Sequence, residues 1–124
     1  MSVTAVYQDR IHRRDTMSKK PEPGDHIRDV SPKFADLTRD LLFGEIWERP
    51  ELKKRDRSLA TVTALIALNR TEQLEGHMTR ALQNGVTQEE IVELITHLAF
   101  YSGWPNSMSA LAVARKVFAA QASK

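Results

Sequence analysis

Four histidines and no cysteine stand in a chain of 124 residues, so proton chemistry near neutrality falls to imidazole and carboxylate. Cysteine's absence removes disulfides, thiolate metal sites, Cys nucleophiles and dithiol redox chemistry. His77 lies beside the apolar stripe Leu74, Met78, Ala81 and Leu82, and His97 shares a side with Leu94 and Tyr101. Arg49, Arg55 and Arg57 are concentrated before an apolar run, and each offers a planar fork that fits a carboxylate. The stretch Glu45-Ile46-Trp47-Glu48-Arg49 sets an acid, an indole and a guanidinium close together. Each residue also has a plain structural reading. A histidine near an apolar face is commonly a hydrogen-bonded structural residue, and the run Lys53 to Arg57 reads as a solvated helix start. Trp104-Pro105-Asn106 reads as a turn between helices, with the tryptophan filling a core gap.

The elements that must position these groups are helical. Ser31-Pro32 sets an N-cap before a proline at the first helical position, and Phe34, Leu37, Leu41 and Leu42 carry a first helix over about 31 to 43. Gly44 and Pro50 limit the next segment to a short helical turn. From Asp56 to about Asn69, Leu59, Val62, Leu65 and Ile66 predict a central helix apolar on nearly every side, the hub of the core. Thr71 is the expected N-cap of the helix bearing His77, and Gly85 its left-handed terminator. Thr87 and Glu90 form a capping box for a helix with Ile91, Leu94, Ile95 and Leu98 on its face, ended by Gly103. Met108, Leu111, Val117 and Phe118 give a last helix, and no segment reads as a strand.

One domain is expected at this length, over residues 30–124, preceded by a loosely packed lead-in over 1–29. A domain this small, 41% hydrophobic, leaves apolar helix faces exposed, which favours a homo-oligomer. No apolar run approaches the roughly 20 residues needed to cross a bilayer, and no secretory leader pattern opens the chain, so a cytoplasmic protein without membrane partners is expected. Residues 1–20 carry +3 of the net +2, leaving −1 elsewhere. With Tyr7 as its one aromatic, this end reads as a solvated tail and not a nucleic-acid arm.

The segments Arg55-Asp56-Arg57-Ser58-Leu59-Ala60-Thr61, Gln73-Leu74-Glu75-Gly76-His77, Asn84-Gly85-Val86-Thr87, Glu89-Glu90-Ile91 and Ala99-Phe100-Tyr101-Ser102-Gly103-Trp104-Pro105 resemble the carboxymuconolactone decarboxylase family over about residues 29 to 119. The resemblance implies an all-α, alkyl hydroperoxidase D-like domain with a core helical hairpin, assembled as a homotrimer or homohexamer. One branch decarboxylates γ-carboxymuconolactone in aromatic breakdown; the other is a thiol peroxidase. The peroxidase branch has a Glu, a Cys-x-x-Cys and a His at positions matching Ser58, Arg70, Gln73 and His77. Only the histidine is present, so thiol peroxidase chemistry is excluded.

The lyase branch needs no metal or organic cofactor, since its substrate delocalises the electrons released with carbon dioxide onto its own lactone carbonyl. His77, at the family-matched position, is the expected proton donor, with Glu45 of the Glu-x-Trp turn as orienting partner, and Arg57, immediately before the buried run, is foremost as carboxylate ligand, with Arg49 behind it. Trp47, Tyr101 and Trp104 are expected to wall an apolar pocket, with His97 at its edge or at a subunit contact. The other reading is a non-catalytic oligomer that binds a ligand or partner on the same scaffold.

Overall fold

The computed structural model describes residues 20–123. The basic stretch before residue 20 lies outside the described residues. Contacts divide the chain into two compact units, joined at Glu48 and Arg49.

In the first unit, a turn and a 3-10 helix over Asp25–Ile27 lead into α1, Pro32–Asp36. Ser31 caps α1 as its sequence requires, its hydroxyl accepting from Phe34 N at 3.1 Å. Arg28 Nη1 donates to Asp36 Oδ1 at 2.8 Å, so residues before α1 are tied to its end. The helix expected to run to residue 43 continues as a π-helix over Leu37–Phe43. Thr38 Oγ1 donates back to Phe34 O at 2.9 Å where the ladder widens, a contact that competes with regular helix geometry. A second 3-10 turn, Ile46–Glu48, supplies the short element expected there.

The second unit is four helices: α2 Lys54–Ala67, α3 Thr71–Gln83, α4 Gln88–Leu98 and α5 Trp104–Ala122. The described residues contain no strand. α2 and α3 form an antiparallel hairpin whose turn is set by Asn69, at φ 55°. There Arg70 N reaches back to Leu65 O at 2.8 Å and Asn69 N to Ile66 O at 3.0 Å, the paired bonds of a Schellman motif. The same motif closes α3. Gly85 takes φ 97°, with Val86 N on Ala81 O at 2.9 Å and Gly85 N on Leu82 O at 3.2 Å. A side chain at that φ is strained, which is why glycine stands there.

One core is built from one stripe of each helix: Val62 and Ile66 of α2, Leu74, Met78 and Ala81 of α3, Ile91, Ile95 and Leu98 of α4, and Ala110, Ala114 and Val117 of α5, with Val86 between. α2 touches the other three helices, as a hub must. It is not buried all round, however. Ser58, Val62 and Ile66 alone are fully enclosed, because one stripe suffices to meet three neighbours on the same side. Small polar bonds fix the register: Ser107 Oγ donates to Ile95 O at 2.8 Å, and Asn106 Nδ2 to Ala67 O at 3.1 Å.

Three expected boundaries shift. Thr71 is the first residue of α3, with Arg70 in the cap position and no side-chain cap, because the Schellman turn occupies the residues a cap would need. α4 stops at Leu98, where Ser102 N and Oγ both converge on Leu98 O, at 2.7 and 2.9 Å. Gly103, at φ 100°, therefore starts α5 and does not end α4. The Thr87–Glu90 capping box is present in both directions, at 3.1 and 3.0 Å. None of the helices among the described residues is long and apolar enough to cross a membrane.

These contacts rank by burial. Thr87→Ala should lower unfolding free energy by about 1 kcal/mol, and Ile95→Ala, in the core, by about 2–5 kcal/mol. Urea unfolding of both variants checks the order; equal losses would contradict it.

Candidate active site

Burying Leu74, Met78 and Ala81 of α3 sets its flanking positions at the margin of the core. His77, Arg80 and Asn84 recur there at i, i+3 and i+7, on one edge, and all three are half-buried. Asn84 Nδ2 donates to Ser58 Oγ at 3.0 Å. Ser58 is completely enclosed in α2, so this bond locks the polar edge of α3 to its hairpin partner.

The electrostatics of that edge follow from its half-burial. The His77 imidazole is held below its ordinary value of 6.5, first by burial and then by the charge of Arg80. Burial also pulls the Arg80 guanidinium down. His77 is therefore neutral at neutral pH, with one nitrogen that donates and one that accepts. Such an imidazole takes up a proton when a neighbouring anion offsets burial and the Arg80 charge.

The other expected residues are placed as follows. Arg57 Nε donates to Leu52 O at 3.0 Å and Nη2 to Arg49 O at 3.2 Å, so part of its fork holds the turn that precedes α2. Arg49 lies 3.7 Å from Glu51, exposed. Arg55 is ion-paired with Glu90, joining the starts of α2 and α4. That pair and the Thr87 backbone N–H hold the Glu90 carboxyl below the usual range, the backbone bond foremost.

His97 and Tyr101 are brought together, their rings stacked at 4.7 Å on the exposed end of α4. Trp104 meets Phe100 edge to face at 6.1 Å and lines an apolar cleft of about 280 Å³ with Ile95, Met108 and Leu111. Tyr101 is not among that cleft's walls. Trp104 is exposed and fills no core gap, since the core beside it is closed by Ser107 and Ala110. Trp47 is buried in the first unit, stacked on Phe43 at 5.6 Å, and Glu45 is exposed just before it.

Sequence alone gives Arg80, Ser58 and Asn84 no role in a site. The signal for Arg80 was its place three residues after His77 on one helix. Ser58 and Asn84 are distant in sequence, and only the hairpin register joins them.

Comparison with known proteins adds to this geometry. The chain is 37% identical over 94 residues to a 4-carboxymuconolactone decarboxylase of Acinetobacter baylyi, covering 76% of this chain and 70% of that one. It is 36% identical over 81 residues to a nitrosuccinic acid decarboxylase of Metarhizium robertsii, covering 65% and 57%. An uncharacterized 15.0 kDa protein of Paracoccus denitrificans is 30% identical over 82 residues, covering 64% and 61%. The chain thus spans less than two thirds of the latter two. Residues 32–116, which include α1 and most of the four-helix unit, match the carboxymuconolactone decarboxylase family description. On that match and on the first of these identities, the chain belongs to the carboxymuconolactone decarboxylase family.

Proposed function

We propose that this protein is a cofactor-independent carboxy-lyase acting on γ-carboxymuconolactone or a related small lactone or keto acid, with His77 as proton donor. The observation that carries the reading is the half-buried His77 beside Arg80 on the helix edge tied to Ser58. Its similarity to two relatives named as decarboxylases supports the reaction class.

The chemistry balances without an added electron sink. The bond from ring carbon to the departing carboxylate breaks, carbon dioxide leaves, and the electron pair spreads through the double bond onto the lactone carbonyl oxygen. A proton delivered to carbon then gives the enol-lactone. The protein must supply that proton and stabilise the oxygen where charge develops. A histidine kept neutral in the free protein suits the first task, because the anionic substrate itself offsets the effects that hold its proton off. The donor form is then made where it is used.

The same reading includes assembly as a homotrimer or homohexamer. Residues 94–114 contain no Asp, Glu, Lys or Arg in a chain that is 27% charged. They leave Phe100, Tyr101 and Trp104 exposed at 76, 77 and 62%. Charge depletion with exposed aromatics is the composition of an interface core, and a second copy of the chain is the occupant this account assigns to it.

Three outcomes are expected. Purified protein should convert γ-carboxymuconolactone to the enol-lactone without added metal, and His77→Asn should lose at least about a hundredfold in kcat. Intact turnover in that variant removes His77 from the role; no turnover by a folded parent moves the function to another acid or to ligand binding. Because kcat/KM reports the free enzyme, in which the His77 pKa is lowered, it should fall as pH rises through values below 6.5. The kcat limb should lie at higher pH, since bound anion raises the histidine; a kcat/KM flat from pH 5.5 to 8 contradicts this. Finally, Trp104→Glu should shift the protein to monomer in sedimentation velocity, and a monomeric parent refutes the assembly.

A further inference from the structure

Each unit carries an apolar groove open to solvent. In the first, Phe34, Leu37, Leu41, Leu42 and Ile46 line about 250 Å³ along α1 and the π-helix, and all five are exposed. In the second, the cleft of about 280 Å³ is walled by Trp104, Met108 and Leu111, exposed as well. Neither groove offers a free hydroxyl proton, because Thr38 Oγ1 donates to Phe34 O, Thr96 Oγ1 to Val92 O and Ser107 Oγ to Ile95 O. The occupant of each is therefore apolar, and a small polar acid fits neither. Both apolar stripes end on a charge. On α5, Trp104, Met108, Leu111 and Arg115 recur at i, i+4, i+7 and i+11, on one face. In the first unit, Glu45 stands one turn past Leu41, its N–H bonded to Leu41 O at 3.2 Å. Arg115 and Glu45 are exposed, and neither has an ion pair among the described residues. The spacing is the same in both, eleven positions from Phe34 to Glu45 and from Trp104 to Arg115.

We propose that the first unit of one copy packs along α5 of a second copy, its apolar groove against Trp104, Met108 and Leu111 and its Glu45 against Arg115. The proposal rests on the assembly reading above and names the part of the second copy that covers that surface. Side by side and running in the same direction, the two stripes bring aromatic to aromatic at one end and carboxylate to guanidinium at the other. Such a contact buries apolar area and pairs the charges at its rim, which fixes direction and register. Pairing of the α5 stripe with itself would leave the first groove open and Arg115 without a carboxylate. A contact between two different surfaces is heterologous, and repeated by rotation it closes into a ring of copies.

The full chain has no cysteine and carries both charges at exposed positions, so two measurements read the contact directly. In sedimentation velocity over a dilution series, Glu45→Arg and Arg115→Glu should each weaken assembly at least about tenfold, and the double variant Glu45→Arg/Arg115→Glu should return to within about threefold of the parent. Under mild oxidation, a chain with both Leu41→Cys and Met108→Cys should form disulfides between copies, and neither single variant should. An assembled parent whose affinity neither reversal changes, or a double variant no tighter than the singles, overturns the pairing and leaves assembly standing. A disulfide-linked dimer of Met108→Cys alone does the same, since the stripe then meets itself. A disulfide closed within one chain also overturns it. A monomeric parent defeats the assembly reading, and this pairing with it.

Discussion

One constraint organises the second unit: α3 must bury a single stripe, Leu74, Met78 and Ala81, against α2 and α5. On a 3.6-residue period, that choice forces positions 77, 80 and 84 onto the margin of the core, where they are withdrawn from water without being sealed in. The two Schellman turns at Asn69 and Gly85 fix where α3 begins and ends. The Asn84 to Ser58 bond then fixes its rotation against α2. Together they hold His77 half-buried beside Arg80, the setting that keeps its pKa below 6.5.

That setting has a cost and a use. A half-buried imidazole beside a half-buried guanidinium resists protonation, for burial and for repulsion alike. In a structural role, such a pairing only destabilises the charged histidine. In a lyase for acids, it couples proton uptake to the arrival of an anion, so that the donor is charged when the substrate is in place. On the proposed function, acid-handling chemistry falls on one edge of one helix, while the Arg55–Glu90 ion pair joins the starts of α2 and α4.

Much of the architecture was legible in the residues, because local rules set it. The Ser31 cap, the Thr87–Glu90 box, the left-handed Gly85 and the four helical stripes are all contacts within a few positions of one another. What escaped depends on partners far apart or on competition between signals. The π-helix at Leu37–Phe43 keeps the apolar spacing of an α-helix. Thr71 has cap chemistry, yet the preceding Schellman turn takes its place. Arg57 reads as a free cation until the turn folds back under it, and the joining of Ser58 to Asn84 exists only once the hairpin forms. Trp104, a large apolar residue, reads as core; its exposure reflects a core already closed by small residues of α5.

The most direct test of this account is the protonation of His77 itself, followed by proton–nitrogen NMR of its imidazole across pH in the parent and in Arg80→Gln. The account predicts titration below 6.5 in the parent and a rise toward 6.5 when the Arg80 charge is removed. Titration at or above 6.5 in the parent, with no response to Arg80→Gln, would contradict it.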